Sequence, residues 1–456
     1  MKPIITTAFM ALLAFLCCAG AWYYYPKIEV AQVTERKQLL REEDSFQARD
    51  VRLIKVEQYD RTRNSKTEFE LQFEQGSWVI PSKSGFPAGN SERVAVLVNA
   101  LLDKEVLELV SDEKNDHEKY GVLELEEADS GGVGVGTVLT FEGRKREELG
   151  KLIVGQTPKD EKGQRYVRLA GQPHIYIIDF DDTVLTTALS DWTDGDLLQM
   201  DPRISLNDLV EYFDVDSYFV EQAESGVVKK HVYRARIYVK EGNWVYDFWA
   251  ANENQSLPSE PTGKALPVNV SETLTRFVSQ LKGFAIRDVV KKQPAAAQDL
   301  SSPKESQAAS HFRSMAGQGF FHNGFDFGQH QFDSATGEIT VAYRFGMQAK
   351  MFIGDFAGLD IANGNQFNRY LLVTAEKNPD LIPVPEEPSG DGTEENQEEA
   401  ARKYQQEVNR RKELLKGAEQ GFQALNQIHA DWIYVVSEDV VSNLLPPADS
   451  WKVDGQ

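Results

Sequence analysis

An internal duplication constrains the fold of this chain more than any other feature. Gly76-Ser77-Trp78-Val79 recurs as Gly242-Asn243-Trp244-Val245, each after a strand-like run, Phe69–Glu74 and Ala235–Lys240. After each comes a polar loop and then an amphipathic helix. The first, Ser91–Asp103, carries Val94, Leu97, Val98, Leu101 and Leu102 on one stripe. The second, Ser271–Lys282, carries Leu274, Phe277, Val278 and Leu281. Ser91 and Ser271 suit the N-cap position. β-rich stretches follow, Val106–Val110 and Phe284–Val290.

The matched blocks continue in the same order. Gly136–Phe141 corresponds to Glu338–Tyr343, Lys151–Gly155 to Lys350–Gly354, Tyr166–Leu169 to Tyr370–Val373, and His174–Ile178 to Trp432–Val436. Short helices are expected to close the copies at Asp182–Leu189 and Glu438–Leu445. So many blocks in one order point to two copies of a single supersecondary plan. Strands joined by short turns, without a crossover helix between each pair, predict an α+β class. The expectation is two duplicated units of mostly antiparallel sheet with packed helices.

The expected first unit covers residues 26–190 and the second 191–446, with 447–456 as a tail. The spacing between matched blocks widens along the chain, so the second copy carries insertions. One, at about 291–315, includes the Ala/Gln/Ser/Pro stretch Gln293–Ser310 and reads as linker. The other, at about 378–429, opens with Pro379, Pro383, Pro385 and Pro388 and passes through the acidic patch Glu386–Glu399. It then predicts a charged helix over Glu395–Ala424. The helix's apolar positions, Val408, Leu414, Leu415, Phe422 and Leu425, are sparse, which fits a solvated excursion or packing along one narrow stripe. A partner-docking arm is the competing reading.

The amino-terminal end supplies an address. No residue from Ile4 to Tyr25 is charged, and the run is long enough for the roughly 20 residues a membrane helix needs. Lys2 precedes it. Trp22, Tyr23, Tyr24 and Tyr25 close it as an aromatic belt with Lys27 outside, so residues 1–25 read as a single transmembrane anchor. This places the bulk of the chain on the extracytoplasmic, periplasmic side of an inner membrane. Ala19-Gly20-Ala21 leaves a cleaved signal peptide as the alternative. A lipoprotein fits less well, because no small residue stands just ahead of Cys17 or Cys18. These are the chain's 2 cysteines, so no disulfide framework or thiolate metal site can form beyond them. Lys+Arg 49 against Asp+Glu 71 gives a net charge of −22, which disfavours nucleic acid as a partner.

Taken together, the blocks resemble the DUF4340 family, a bacterial domain of unknown function. Its members look like a membrane helix followed by repeated units. The residues that carry the likeness are Trp78, Glu118–Val122, Val154-Gly155, Tyr166–Arg168, and the connector Ser190-Asp191-Trp192 with Asp196-Leu197-Leu198. The resemblance spans about Val51–Leu445. It implies an accessory role at the cell envelope, near ABC-transporter auxiliary components of the gliding-motility type. It carries over no catalytic residue, and the long acidic insertion departs from the family pattern.

Several motifs suggest chemistry. Ile175–Leu185, reading IYIIDFDDTVL, looks like the first motif of haloacid-dehalogenase phosphatases. Asp179 would be the nucleophile and Asp181 the acid/base, sharing Mg²⁺, with Gly354-Asp355 and Asp360 as a late acidic motif. The duplication weakens that reading. Ser437-Glu438-Asp439 stands where the second copy would repeat Asp179-Phe180-Asp181, and Gly155-Gln156 where the first would repeat Gly354-Asp355. Asp181 or Asp182 reads as a helix cap instead. His311, His322 and His330, with Asp326 and Asp333, could bind Zn²⁺, but Gly317, Gly319, Gly324 and Gly328 predict a solvated loop. Asp191, Asp194, Asp196 and Asp201 lack the alternation of a Ca²⁺ loop. Gly131–Gly136 lacks the Lys-Ser/Thr of a phosphate loop and reads as a flexible turn. Trp78 and Trp244, at equivalent points, suggest core packing. The sequence therefore assigns no catalytic, cofactor or metal residue. It predicts a non-enzymatic binding or scaffolding accessory. The alternatives are a Mg-dependent hydrolase using Asp179/Asp181 and a solute- or glycan-binding module.

Overall fold

The computed structural model describes residues 38–40, 46–89, 91–102, 104–127, 131–159, 161–200, 203–223, 226–261, 263–267, 271–303, 308–326, 329–360, 366–388 and 394–451. The expected anchor over residues 1–25, with both cysteines, lies outside them, as do the side chains of Ser91 and Ser271. No described helix is long and apolar enough to cross a membrane.

The fold is α+β, built on two nine-stranded sheets. The first contains β1 Leu53–Asp60, β2 Ser65–Glu74, β3 Ser77–Ile80, β4 Phe86–Pro87, β5 Glu108–Ser111, β6 Thr137–Glu142, β7 Glu148–Val154, β8 Gln164–Leu169 and β9 Ile175–Asp179. The second contains β10 Val210–Ala223, β11 Gly226–Lys240, β12 Asn243–Ala250, β13 Gly263–Pro267, β14 Asp288–Lys291, β17 Gly337–Tyr343, β18 Met347–Asp360, β19 Gln366–Lys377 and β20 Trp432–Ser437. Between β14 and β17 a separate hairpin pairs β15 Phe320–Asp326 with β16 Gln329–Ser334. The strand orders are β4-β3-β2-β1-β6-β7-β8-β9-β5 and β13-β12-β11-β10-β17-β18-β19-β20-β14, the same path traced twice. Equivalent amides even make equivalent bonds: Leu107 N donates to Ile177 O at 2.9 Å and Arg287 N to Val435 O at 2.8 Å.

Local chemistry explains the repeated Gly-x-Trp. Gln75-Gly76 and Glu241-Gly242 are two-residue hairpin loops with positive φ at both positions: 48° and 92°, then 52° and 81°. That geometry matches the right-handed twist of the flanking strands and favours glycine second. Trp78 then meets Phe73 edge-on at 5.4 Å, and Trp244 stacks on Phe213 at 5.5 Å. Both indoles are half-buried rather than fully enclosed, because they sit beside the turn, one strand in from the sheet edge.

Helix α1 Ser91–Leu102 buries Val94, Leu97, Val98 and Leu101. Helix α2 Ser271–Lys282 buries Phe277 and Leu281. The cores are built from matched positions. Val122, Ile153 and Ile175 cluster with Val110 and Tyr166; Phe320, Phe352 and Ile433 cluster with Val290 and Tyr370. The equivalent glycines Gly155 and Gly354 allow close approach. A Cβ would lie 2.5 Å from Tyr120 O in one and 2.3 Å from Gln318 O in the other.

The structure differs from expectation in three places of the second copy and at the end of the first. The linker stretch contains helix α3 Pro294–Ser301, whose Ala296, Ala297 and Leu300 are buried. Its small residues pack as a core face, which composition alone disguised. The histidine segment is a 3₁₀ helix, Arg313–Gln318, running into β15–β16, and not a loop. The charged helix extends over Glu394–His429 as α4, and its carboxyl half docks through Ala418, Phe422 and Leu425. A helix at 438 does form, α5 Glu438–Leu444, but the expected helix at 182–189 shrinks to a 3₁₀ turn, Asp182–Val184, apart from a second at Leu189–Asp191. There Asp181 Oδ1 accepts from Thr183 N at 3.0 Å and fixes a tight turn. Covering by α4 also separates Tyr434, 2% exposed, from its half-buried counterpart Tyr176: His429 Nδ1 lies 2.7 Å from the Tyr434 hydroxyl.

By contact density the chain divides into two compact units. One holds the described residues up to 51, with those of 57–67 and 96–185. The other holds 52–56, 68–95 and everything from 186 onward. The β3–β4 end of the first sheet therefore belongs to the second unit.

Gly242→Ala forces a side chain into a left-handed turn with open space around it, and is expected to cost about 1 kcal/mol. Gly354→Ala drives a methyl group into backbone and should cost about 1–3 kcal/mol. Urea denaturation of both variants checks the ranking.

Candidate functional site

The densest polar geometry lies on one face of the second sheet. Alternation along β10 sends Phe213 and Val215 into the core and leaves Tyr212, Asp214 and Asp216 on the opposite face. Register then sets the partners. Asp214 pairs with Arg236 and Thr340 on the neighbouring strands, and Asp216 with Arg234 and Glu338. Opposite charges thus meet across β10–β11, while Asp216 faces the like-charged Glu338 on β17. Asp214 accepts from Arg234 Nε at 2.8 Å and from Arg236 Nε at 3.0 Å, and each guanidinium adds a second bond at 2.5 Å. These residues, with Glu338, Gln348 and Lys350, line a cavity of about 240 Å³.

The surrounding side chains are tied together. His231 Nδ1 lies 2.9 Å from Asp216, and Tyr218 donates its hydroxyl to Glu338 at 3.0 Å. Lys229 Nζ lies 2.8 Å from Asp333, and Lys350 Nζ lies 2.8 Å from Glu376. Burial raises the Asp216 carboxyl, with His231 opposing, and raises the Glu338 carboxyl against Lys229. Burial works to lower the Lys229 ammonium, but Glu338 and Asp333 outweigh it and hold it above its ordinary value. The cradle's charges are thus spent on one another.

The first sheet carries ion pairs with the signs exchanged. Lys55 of β1 bonds Glu68 of β2 at 3.2 Å, and Lys66 bonds Glu57. Glu68 precedes Trp78 by the same interval at which Arg234 precedes Trp244. Nothing in composition pointed to the cradle. Its signal was the alternation Asp214-x-Asp216 and Arg234-x-Arg236, which becomes informative only once β10 and β11 are known to pair.

The residues singled out in the sequence have other placements. Asp179 ends β9, and Asp181 caps the turn that follows. Asp182 pairs with Arg165 at 2.5 Å. Asp355 accepts from Phe356 N at 2.8 Å, inside β18. Asp191 accepts from the Thr186 hydroxyl at 2.7 Å, and Asp194 from Asp196 N at 2.9 Å; Asp201 lies outside the described residues. Gly131–Gly136 forms a turn that is open at Gly131 but closely packed further on, since a Cβ on Gly132 would strike the Tyr59 ring and one on Gly134 would strike Glu118.

His322 and His330 are brought together, with ring nitrogens 3.3 Å apart, beside Phe312, while His311 pairs with Asp299 at 2.6 Å. His330 is 2% exposed, and its Nε2 has no hydrogen-bond partner. Burial, then the neighbouring His322, pushes its imidazole down to about 4. Burial likewise pushes His429 down to about 3. Among the described residues, no three or more His, Cys, Asp or Glu side chains are placed to hold a metal ion.

Residues 78–303 match the family described as Domain of unknown function (DUF4340). The matched stretch begins at the first Gly-x-Trp tryptophan and ends just past α3, so the DUF4340 match takes in parts of both sheets. No curated protein and no solved structure matches the chain.

Asp214→Ala leaves two guanidinium groups facing each other. Both are 38% exposed, so water partly compensates, and a loss of about 1–3 kcal/mol is expected in chemical denaturation. Stability should also fall on acidification from about pH 6.5 toward pH 4. In that window the unfolded chain takes up protons that folded His330 and His429 refuse. The slope is about 1.4 kcal/mol per pH unit for each histidine. His330→Phe should reduce it by about 1.4 kcal/mol per pH unit, leaving the His429 share, as read by thermal denaturation across that range.

Proposed function

We propose that this chain is a membrane-anchored, envelope-facing binding or scaffolding accessory, working beside a transporter-type complex, and not an enzyme. The carrying observation is the elaboration of the second copy. Strands β18 and β19 run far beyond the length of β7 and β8. The added hairpin exposes Phe356, Leu359 and Phe367, each at least half accessible. Phe356 and Phe367 pair at 5.1 Å, and the Arg369 guanidinium lies 3.8 Å from the Phe356 ring. Grouped exposed apolar side chains on an otherwise polar protein mark contact surfaces. The turn-capping use of Asp181 favours this reading over phosphoryl transfer. The extracytoplasmic placement rests on the uncharged run Ile4–Tyr25, and the transporter setting on the family resemblance.

The test uses the full chain in its native membranes, with a photo-crosslinking residue at Phe367 and a control at Glu413, an exposed position of α4. Crosslinking to one membrane-complex protein from Phe367 only, weakened by Phe356→Ser, is expected. A reporter fused after Gln456 should be active only outside the cytoplasm. A cytoplasmic reporter signal, or a Mg²⁺-dependent phosphatase activity lost in Asp179→Asn, would overturn the proposal.

A further inference from the structure

Within the second compact unit, the segment from Ile80 to Pro87 acts as a strap on the edge of the second sheet. The Phe86 ring meets Trp432 edge-on at 4.9 Å and Tyr434 at 6.2 Å. Lys83 Nζ lies 2.8 Å from Asp288, and Lys291 Nζ reaches Ser84 O at 3.5 Å. The edge strand β14 and its neighbour β20 thereby gain an apolar plug and an ion pair. Phe86 is 6% exposed, Trp432 6% and Val289 8%.

The duplication supplies the same edge a second time. In the first sheet, β5 is the edge strand on β9. Tyr176 opposite Leu109 repeats Tyr434 opposite Val289, and Ile177 opposite Glu108 repeats Val435 opposite Asp288. His174 stands where Trp432 stands. This edge is open. Leu107 is 49% exposed, Leu109 is 54% exposed, and His174 and Tyr176 stack on each other at 6.0 Å, both only half-buried. Glu108 is placed as Asp288 is, ready for a cation.

The chain also carries a second strap. Phe86 and Pro87 pair with Ile80 and Val79; Leu266 and Pro267 pair with Tyr246 and Val245, the equivalent residues after the repeated tryptophan. β13 is thus the counterpart of β4, an edge strand of its own sheet, although Lys264 lies within β13 whereas Lys83 lies in the 3₁₀ turn ahead of β4. The described residues therefore show one filled strap-and-edge pair, one exposed edge and, in β13, a backbone counterpart of the strap strand.

We infer that the open β5–β9 edge, through Leu107, Leu109, Tyr176 and Glu108, is a docking site for the β13 strap of a second copy of this chain. The contact is head-to-tail, joining unlike surfaces, so it builds rows or rings rather than isologous dimers. It extends an arrangement already present inside one chain, and it does not depend on the accessory role proposed above.

The test uses full-length protein, with Cys17→Ser and Cys18→Ser, in lipid nanodiscs. Two further variants, His174→Cys and Leu266→Cys, are prepared separately and mixed with a short bis-maleimide. A crosslinked dimer in the mixture, and none in either variant alone, is expected. In sedimentation velocity of detergent-solubilised chain, a larger species should grow with concentration. Leu109→Glu should abolish it while thermal denaturation shows an unchanged fold. A chain that stays monomeric throughout, a dimer that survives Leu109→Glu, or crosslinking of a single variant to itself would overturn the inference. A Leu109→Glu chain that fails to fold leaves the crosslinking result to decide.

Discussion

Every open antiparallel sheet ends in strands whose outer N–H and C=O groups lack partners, and much of this molecule can be understood as a response to that constraint. Each nine-stranded sheet has two edges, β4 and β5 in one, β13 and β14 in the other. All four are short, which limits the unpaired backbone on offer. The β14 edge is further closed by the Phe86 plug and the Lys83–Asp288 pair. The β5 edge keeps the same backbone plan but presents exposed leucines.

The two copies have diverged around one framework. The first is close to a minimal version, with short strands and the small core of Val122, Val138, Ile153 and Ile175. The second adds the β15–β16 hairpin, α3 and α4, and replaces those positions with larger rings such as Phe320 and Phe352. Buried polar groups pin the additions. Lys292, pushed by burial down to about 7, donates to His429 O at 2.8 Å and to Trp432 O. His429 in turn reaches Leu197 O at 2.7 Å. The end of α4, the start of β20 and the connector between copies are thereby joined through hydrogen bonds that water cannot replace.

Much of the sheet framework was legible because duplication doubles every local signal. Gly76 and Gly242 mark the same turn, and the α2 limits Ser271–Lys282 follow directly from one apolar stripe and a polar start. What stayed hidden depends on tertiary partners. The alanines of α3 read as linker until Leu300 and the aromatic cluster beside it give them something to pack on. The glycines around His322 read as a loop, yet Gly319, with φ of 84°, is a helix end where close backbone approach admits no side chain. The Asp214 cradle needed the β10–β11 register. Asp179 and Asp181 attracted attention as a motif because a strand ending in acidic residues serves both a phosphatase and an ordinary capped turn.

The most direct test of this account is hydrogen exchange on the full chain at rising concentration, comparing Leu107–Ser111 with Arg287–Lys291. The two segments pair alike from Leu107 to Leu109 and from Arg287 to Val289, before β5 shifts register at Leu109–Ser111, so a difference between these matched amides reports what covers them. The account predicts fast exchange in the first segment and slow exchange in the second when the protein is dilute, with the first becoming protected as concentration rises. Equal protection of both segments at every concentration would contradict it.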